Sequence, residues 1–198
     1  MIDKTDDKCY NLQKIRLKWT AWAVGGNLKE LCDVYDARGE KIPGRMTERG
    51  KHALGKGEYH LVVFAWIIND KNEFIISRRQ KGKSFAGKWE CTCGCALAGE
   101  DSLRAAMREV SEELGLSLDA EKGEFFKRYR RNYPEGARAL CDVWVFRGNF
   151  DISDMKLQKE EVSEAKLISS NDLLEFFGKG TYKKRYEYLP ELVEKYTK

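Results

Sequence analysis

Proline is scarce in this chain, with 3 residues in 198, and glycine stops at 17. With 42% apolar and 12% aromatic residues, the composition excludes collagen-like, low-complexity and disordered classes. Long hydrophobic runs are also missing. The longest is Leu61 to Ile68, less than half of the roughly 20 residues a membrane span needs. Residues 1–8 carry both charge signs and lead into no apolar stretch, so a secretory signal is not expected. A cytoplasmic location then follows, and a disulfide framework among the 6 cysteines does not. Nor does one sign of charge dominate. The 36 basic and 32 acidic residues leave +4, which suits an anionic small molecule without the footprint of a nucleic-acid binder.

What is present reads as one domain with an extension, at about 150 residues per domain. The expected division is 1–57 as an N-terminal extension and 58–198 as the main domain. Strands are predicted at Leu31 to Tyr35, Leu61 to Ile68 and Glu73 to Arg78, the last two as a hairpin turning at 69–72. Arg45 to Gly57 reads as a basic loop. A short strand carries Cys91, Cys93 and Cys95, whose alternate spacing sends them to one face. Two more strands, Phe125 to Tyr133 and Leu140 to Phe146, flank Pro134-Glu135-Gly136. A helix from Asn171 or Asp172 to Phe177 and another after Pro190 complete an α/β (α+β) layered domain.

The informative element is the helix after Asp101 or Ser102. Leu103, Ala106, Met107, Val110 and Leu114 form a 3.6-residue stripe, and Gly115 supplies the stop. Glu109, Glu112 and Glu113 share a neighbouring face at i, i+3 and i+4, where like charges repel by about 0.2–0.5 kcal/mol per pair. Arg108 offsets part of this by reaching Glu112. Three clustered carboxylates offer hard oxygen donors to a divalent cation.

The wider spacing sharpens that reading. The chain runs Gly94-x5-Glu100-x7-Arg108-Glu109-Val110-Ser111-Glu112-Glu113-Leu114-Gly115-Leu116. This resembles the Nudix box, G-x5-E-x7-R-E-U-x-E-E-x-G-U with U aliphatic, at every specified position. A chance match is roughly a one-in-a-million event at ordinary residue frequencies. Trp89, Thr92 and Leu97 to Glu100 resemble the approach to such a box, and 160–164 with 171–174 the family's usual ending.

The resemblance implies an α/β/α sandwich around a mixed sheet, Mg²⁺ or Mn²⁺ as cofactor, and hydrolysis of a nucleoside diphosphate linked to another moiety. It assigns Glu109, Glu112 and Glu113, with Glu100 and Gly94, to the metal. Arg108 is implied as the orienting arginine. Glu109 and Glu112 count as catalytic through the metal, and the general base is Glu109, Glu160 or Glu161. Arg78, Arg79 and Lys83 are the expected grips on the distal phosphate. A homodimer rests on family analogy alone. Specificity is expected from residues around Trp19 to Trp22, the 45–57 loop and 132–138.

A rival branch resembles isopentenyl-diphosphate isomerase, with Cys93-Gly94 at its Cys-Gly and His52 and His60 near two of its metal ligands. Cys95 stands where its third histidine would be, and an intact hydrolytic box argues for hydrolysis. Cys93 and Cys95 flank the first glycine of the box and are expected at the rim of the site. A nucleotide-sensing module without catalysis would have lost box carboxylates, and none is missing.

Overall fold

A computed structural model describes residues 30–48, 54–82, 85–132 and 138–198. The strand β3 (Tyr59–Ile68) is its axis, because every residue from Leu61 onward is buried. A strand apolar on both faces needs cover on both faces. It pairs in parallel with β8 (Arg138–Arg147) along its whole length, and β7 (Gly123–Asn132) closes that side antiparallel to β8. The opposite edge of β3 is shared. β1 (Leu31–Tyr35) pairs with residues 59–60, and β6 (Thr92–Cys95) with 62–65.

The turn at 69–72 is present, but the hairpin is short. Only Ile68 and Phe74 are in register between β3 and β4 (Glu73–Arg79). Beyond the turn β4 leaves β3 and pairs along its length with β9 (Val162–Ser169) and briefly with β5 (Trp89–Glu90). The sheet is therefore mixed, with β5 and β9 joined to it through β4.

Alternation along β3 feeds two cores. Leu61, Val63, Ala65 and Ile67 face α1 (Ser102–Leu114), which contributes Ala105, Ala106, Val110 and Leu114. Complete burial of Val110 and Leu114 stabilises by about 1.5–3 kcal/mol each. Val62, Phe64, Trp66 and Ile68 face α2 (Ser170–Phe177), α3 (Gly180–Arg185) and α4 (Leu189–Tyr196). The Trp66 Nε1 donates to Tyr188 Oη at 3.1 Å and ties α4 to the axis. The α/β/α sandwich expected from the sequence is the observed fold.

Three local expectations change. Residues 45–48 are not loop but the end of β2 (Lys41–Glu48), which pairs with β1 through Cys32–Thr47 and Asp33–Met46. Pro43 and Gly44 hide this strand from pattern reading, and a partner edge makes it. The helix expected to start at Asn171 or Asp172 starts at Ser170, because Ser169 caps it by accepting from Asp172 N. Pro190 lies in the first turn of α4 rather than before it, as its fixed φ allows. Tyr133 to Gly136 lie outside the described residues.

Asp142, wholly buried on β8, accepts both Nε and Nη2 of Arg128 at 2.6 and 2.8 Å. Arg128→Met strands that carboxylate. Urea unfolding is expected to show a loss of about 2–3 kcal/mol, below the full cost of breaking an enclosed pair because Arg128 is partly open to water. A change under about 0.5 kcal/mol would show that the pair carries no net stability.

Candidate active site

The local sequence of α1 fixes its placement. Asp101 caps it by accepting from Arg104 N at 2.8 Å, and Gly115 ends it at φ 69°. The preceding loop is pinned on both sides. Ala96 N donates to Leu61 O, Ala98 N to Leu31 O, and Gly99 N to Asp33 Oδ2 at 2.7 Å. Sequence reading missed Asp33; its one signal is a carboxylate between the buried Cys32 and Val34.

Arg108 is the hub. Its Nε and Nη2 donate to Glu100 at 2.8 and 3.1 Å, its Nη1 to Glu112 at 2.8 Å, and its Nη2 to Cys95 O at 3.0 Å. Glu109 Oε1 lies 2.9 Å from the same Nη1. Burial works against the Arg108 charge, but Glu100, Glu109 and Glu112 outweigh it and hold the guanidinium above its usual range. Glu100 also accepts from Leu97 N at 2.9 Å, so one carboxylate joins loop to helix.

Glu109 and Glu113 are buried on the side of α1 that meets β6. Gly94 makes this approach feasible, since a Cβ there would stand 2.1 Å from the Glu109 carboxylate carbon. Burial pushes the Glu113 carboxyl well above its ordinary range; Glu109 and Glu90 push it further, and Arg79 opposes them. Packing carboxylates this way is costly unless a cation joins them. The donor set and the Gly94 cradle fit a hard divalent ion. Among the described residues no three carboxylates already converge on one point, and Glu112 is turned to Arg108.

Alternation on β4 separates the two arginines. Arg79 faces the site, giving Nη1 to Glu90 Oε1 at 2.8 Å and standing 3.8 Å from Glu161 Oε2. Arg78 instead donates to Gly87 O and lies 3.7 Å from Glu164. Lys83 and His52 lie outside the described residues, as do Trp19 to Trp22. Glu160 is exposed, whereas Glu161 lies beside Arg79.

The three cysteines share one face, against the Trp66 core. That changes their expected place at the rim: alternation turns Gly94 to α1 and sends Cys93 and Cys95 to the other side of the sheet. Burial, then Glu90, push the Cys93 thiol well up. No disulfide joins any two of the five described cysteines. Glu90, also missed from sequence, is buried and holds Arg79 on one oxygen and Arg185 on the other. An open cleft of about 910 Å³ between β9, α2 and α3 includes none of these residues.

A sequence model of the NUDIX domain matches residues 58–191. The chain belongs to the Nudix family. It is 34% identical over 154 residues to an uncharacterized Nudix hydrolase of Listeria monocytogenes, covering 77% of this chain and 81% of that one. It is also 33% identical over 128 residues to an isopentenyl-diphosphate Delta-isomerase of Paenarthrobacter aurescens, covering 61% of this chain and 67% of the other. The crystal structure of a Deinococcus radiodurans protein shares the fold at a TM-score of 0.62 and 22% identity, covering 84% of this chain and 98% of that one. The family makes this Nudix chain a hydrolase acting on pyrophosphate bonds. Nudix hydrolases generally use divalent metal ions. Among the described residues no helix is long and apolar enough to cross a membrane.

Proposed function

We propose that this Nudix chain is a Mg²⁺-dependent hydrolase that cleaves the diphosphate linkage of a nucleoside diphosphate joined to another moiety. The observation that carries the reading is the buried Glu109–Glu113 pair, with Glu109 seated on Gly94 and braced by Arg108. Glu109, Glu112 and Glu113 would hold the ion, with Glu100 and the Gly94 backbone beside them; Mn²⁺ fits the same donors. When bound, the ion neutralises diphosphate charge and lowers the pKa of a water.

The chain's own residues do the rest. Arg108 keeps Glu100 and Glu112 oriented through the bonds above. Glu161, flanked by Arg79, takes a proton from the attacking water, in preference to the outward Glu160. The water oxygen bonds to phosphorus, and the bridging P–O bond breaks with its electron pair on the leaving phosphate. Of Arg78 and Arg79, Arg79 is the one on the site's side, and it meets the substrate's negative charge.

The test is a panel of nucleoside diphosphate sugars, dinucleotides, ADP-ribose, nucleoside triphosphates, CDP-alcohols and isopentenyl diphosphate, with Mg²⁺ or EDTA. Mg²⁺-dependent release of phosphate or nucleotide is expected, and Glu112→Gln should remove it. Double-bond migration in isopentenyl diphosphate without phosphate release would replace hydrolysis by isomerisation. Full activity in EDTA would end the metal assignment.

A further inference from the structure

On the far side of Arg79 lies a second buried charge whose placement the hydrolytic reading does not use. Glu90 is 4% exposed, and both its oxygens are taken by guanidinium groups. Arg79 Nη1 meets Oε1 at 2.8 Å, and Arg185 Nη2 meets Oε2 at 2.9 Å. Arg185 comes from α3, 95 residues further along the chain. Its Nη2 also touches Cys93 Sγ at 3.3 Å, and its guanidinium lies over the rings of Phe64, Phe85 and Tyr186 at 5.7, 5.2 and 5.6 Å. A planar, weakly hydrated cation suits such a stacked site.

The charges add simply. Arg79 and Arg185 each carry +1 and Glu90 carries −1, so the triad presents +1. Its inner end, Arg79, faces Glu113 and Glu161. Charges enclosed this way are screened far less than surface charges. The inner end also depends on the outer one. With Arg185 in place Glu90 divides its two oxygens, and Arg79 keeps its second nitrogen toward Glu161. Without Arg185, Glu90 draws on Arg79 alone.

We propose that Glu90 and Arg185 are positioning residues that set, through Arg79, the net charge facing the carboxylates of α1 and so tune how tightly those carboxylates hold a divalent cation. The inference rests on the hydrolytic reading for its purpose and on the triad's geometry for its substance. It couples the C-terminal helical layer to the opposite face of the sheet through one buried carboxylate.

The sign of the effect separates this role from simple structural support. Arg185→Met takes the triad from +1 to 0, and Mg²⁺ should bind the metal-free full-length protein about threefold or more tighter. Glu90→Gln takes it to +2, and Mg²⁺ should bind weaker by a similar factor. The double variant returns it to +1, and affinity should return to within about twofold of the original. Arg185→Lys keeps the charge and loses only the fork, so it too should stay within about twofold.

Isothermal titration with Mg²⁺ alone reads these values, and thermal unfolding confirms that each variant is folded. Weakening in both single variants, with further weakening in the double, would make the triad structural and overturn the proposal. If Glu90→Gln fails to fold, the Met and Lys variants at 185 still decide, because equal affinity in the two overturns it. An original protein that binds no Mg²⁺ and hydrolyses nothing would instead overturn the hydrolytic reading. Binding and hydrolysis in the original, with affinities unmoved in the variants, would remove the triad's role alone.

Discussion

Glu113→Gln should lower metal-dependent hydrolysis about 10²–10³-fold while making the metal-free protein more stable near neutral pH. The two effects have one cause. The Glu113 carboxyl is buried beside Glu109 and Glu90, so its ionised form is disfavoured in the fold. An unfolded chain gives up this proton near 4.5, whereas the folded protein retains it to higher pH. Between those two values the folded state binds more protons, and stability falls as pH rises through the window. Above the folded value the loss is complete. Glutamine fills the same space without a charge and removes the slope.

Scanning calorimetry in EDTA from pH 4 to 8 measures this. The variant's melting temperature should match the original at pH 4 and exceed it by several degrees at pH 8, at about 2–4 °C per kcal/mol for a chain of this size. Added Mg²⁺ should then raise the original's melting temperature by mass action and leave the variant's nearly unmoved. Parallel pH curves for the two proteins would mean that the buried carboxylate costs the fold nothing.

Gly94→Ala separates site from scaffold in another way. The added methyl would lie 2.1 Å from the Glu109 Cδ and 2.5 Å from its Oε2, so the carboxylate must move. The atoms displaced are the far end of a long side chain. The cost in stability should therefore stay within about 1–2 kcal/mol, at the lower end for an overpacked site. Displacing by an ångström or more a carboxylate proposed to hold the metal should cost about 10²-fold in kcat/KM. Urea unfolding and steady-state kinetics on one preparation check both. Activity within threefold of the original would show that Glu109 need not sit against that backbone.

How much of this was legible in the sequence depends on the range of the interactions. The helix of 102–114 could be read closely, because its stripe, its Asp101 cap and its Gly115 stop all act within a turn or two. The apolar run of β3 announced a buried strand for the same reason. Strand β2 was not legible: Lys-Ile-Pro-Gly-Arg-Met-Thr-Glu has no alternation, and only the free edge of β1 makes it a strand. The hairpin expectation failed on length, since β6 competes for the edge of β3. Asp33 and Glu90 were missed because the partners that tie them to the site's surroundings, Gly99 and Arg185, lie 66 and 95 residues away, and even Arg79, 11 residues before Glu90, sits on a different strand. Arg108, by contrast, combined a partner one turn on, Glu112, with a box whose spacing identifies it.

Asp33 and Leu31 have a consequence for where this protein can be cut. The family match begins at residue 58, yet the amides of Ala98 and Gly99 are satisfied by acceptors at 31 and 33. A fragment trimmed to the match would retain every residue of the box and leave two donors of its entry loop without partners. It would also bare the edge of β3 at residues 59 and 60, an invitation to pair with another molecule. An expression boundary for this chain therefore has to precede Leu31, whose carbonyl and the Asp33 side chain hold the entry loop, rather than fall where the family match begins.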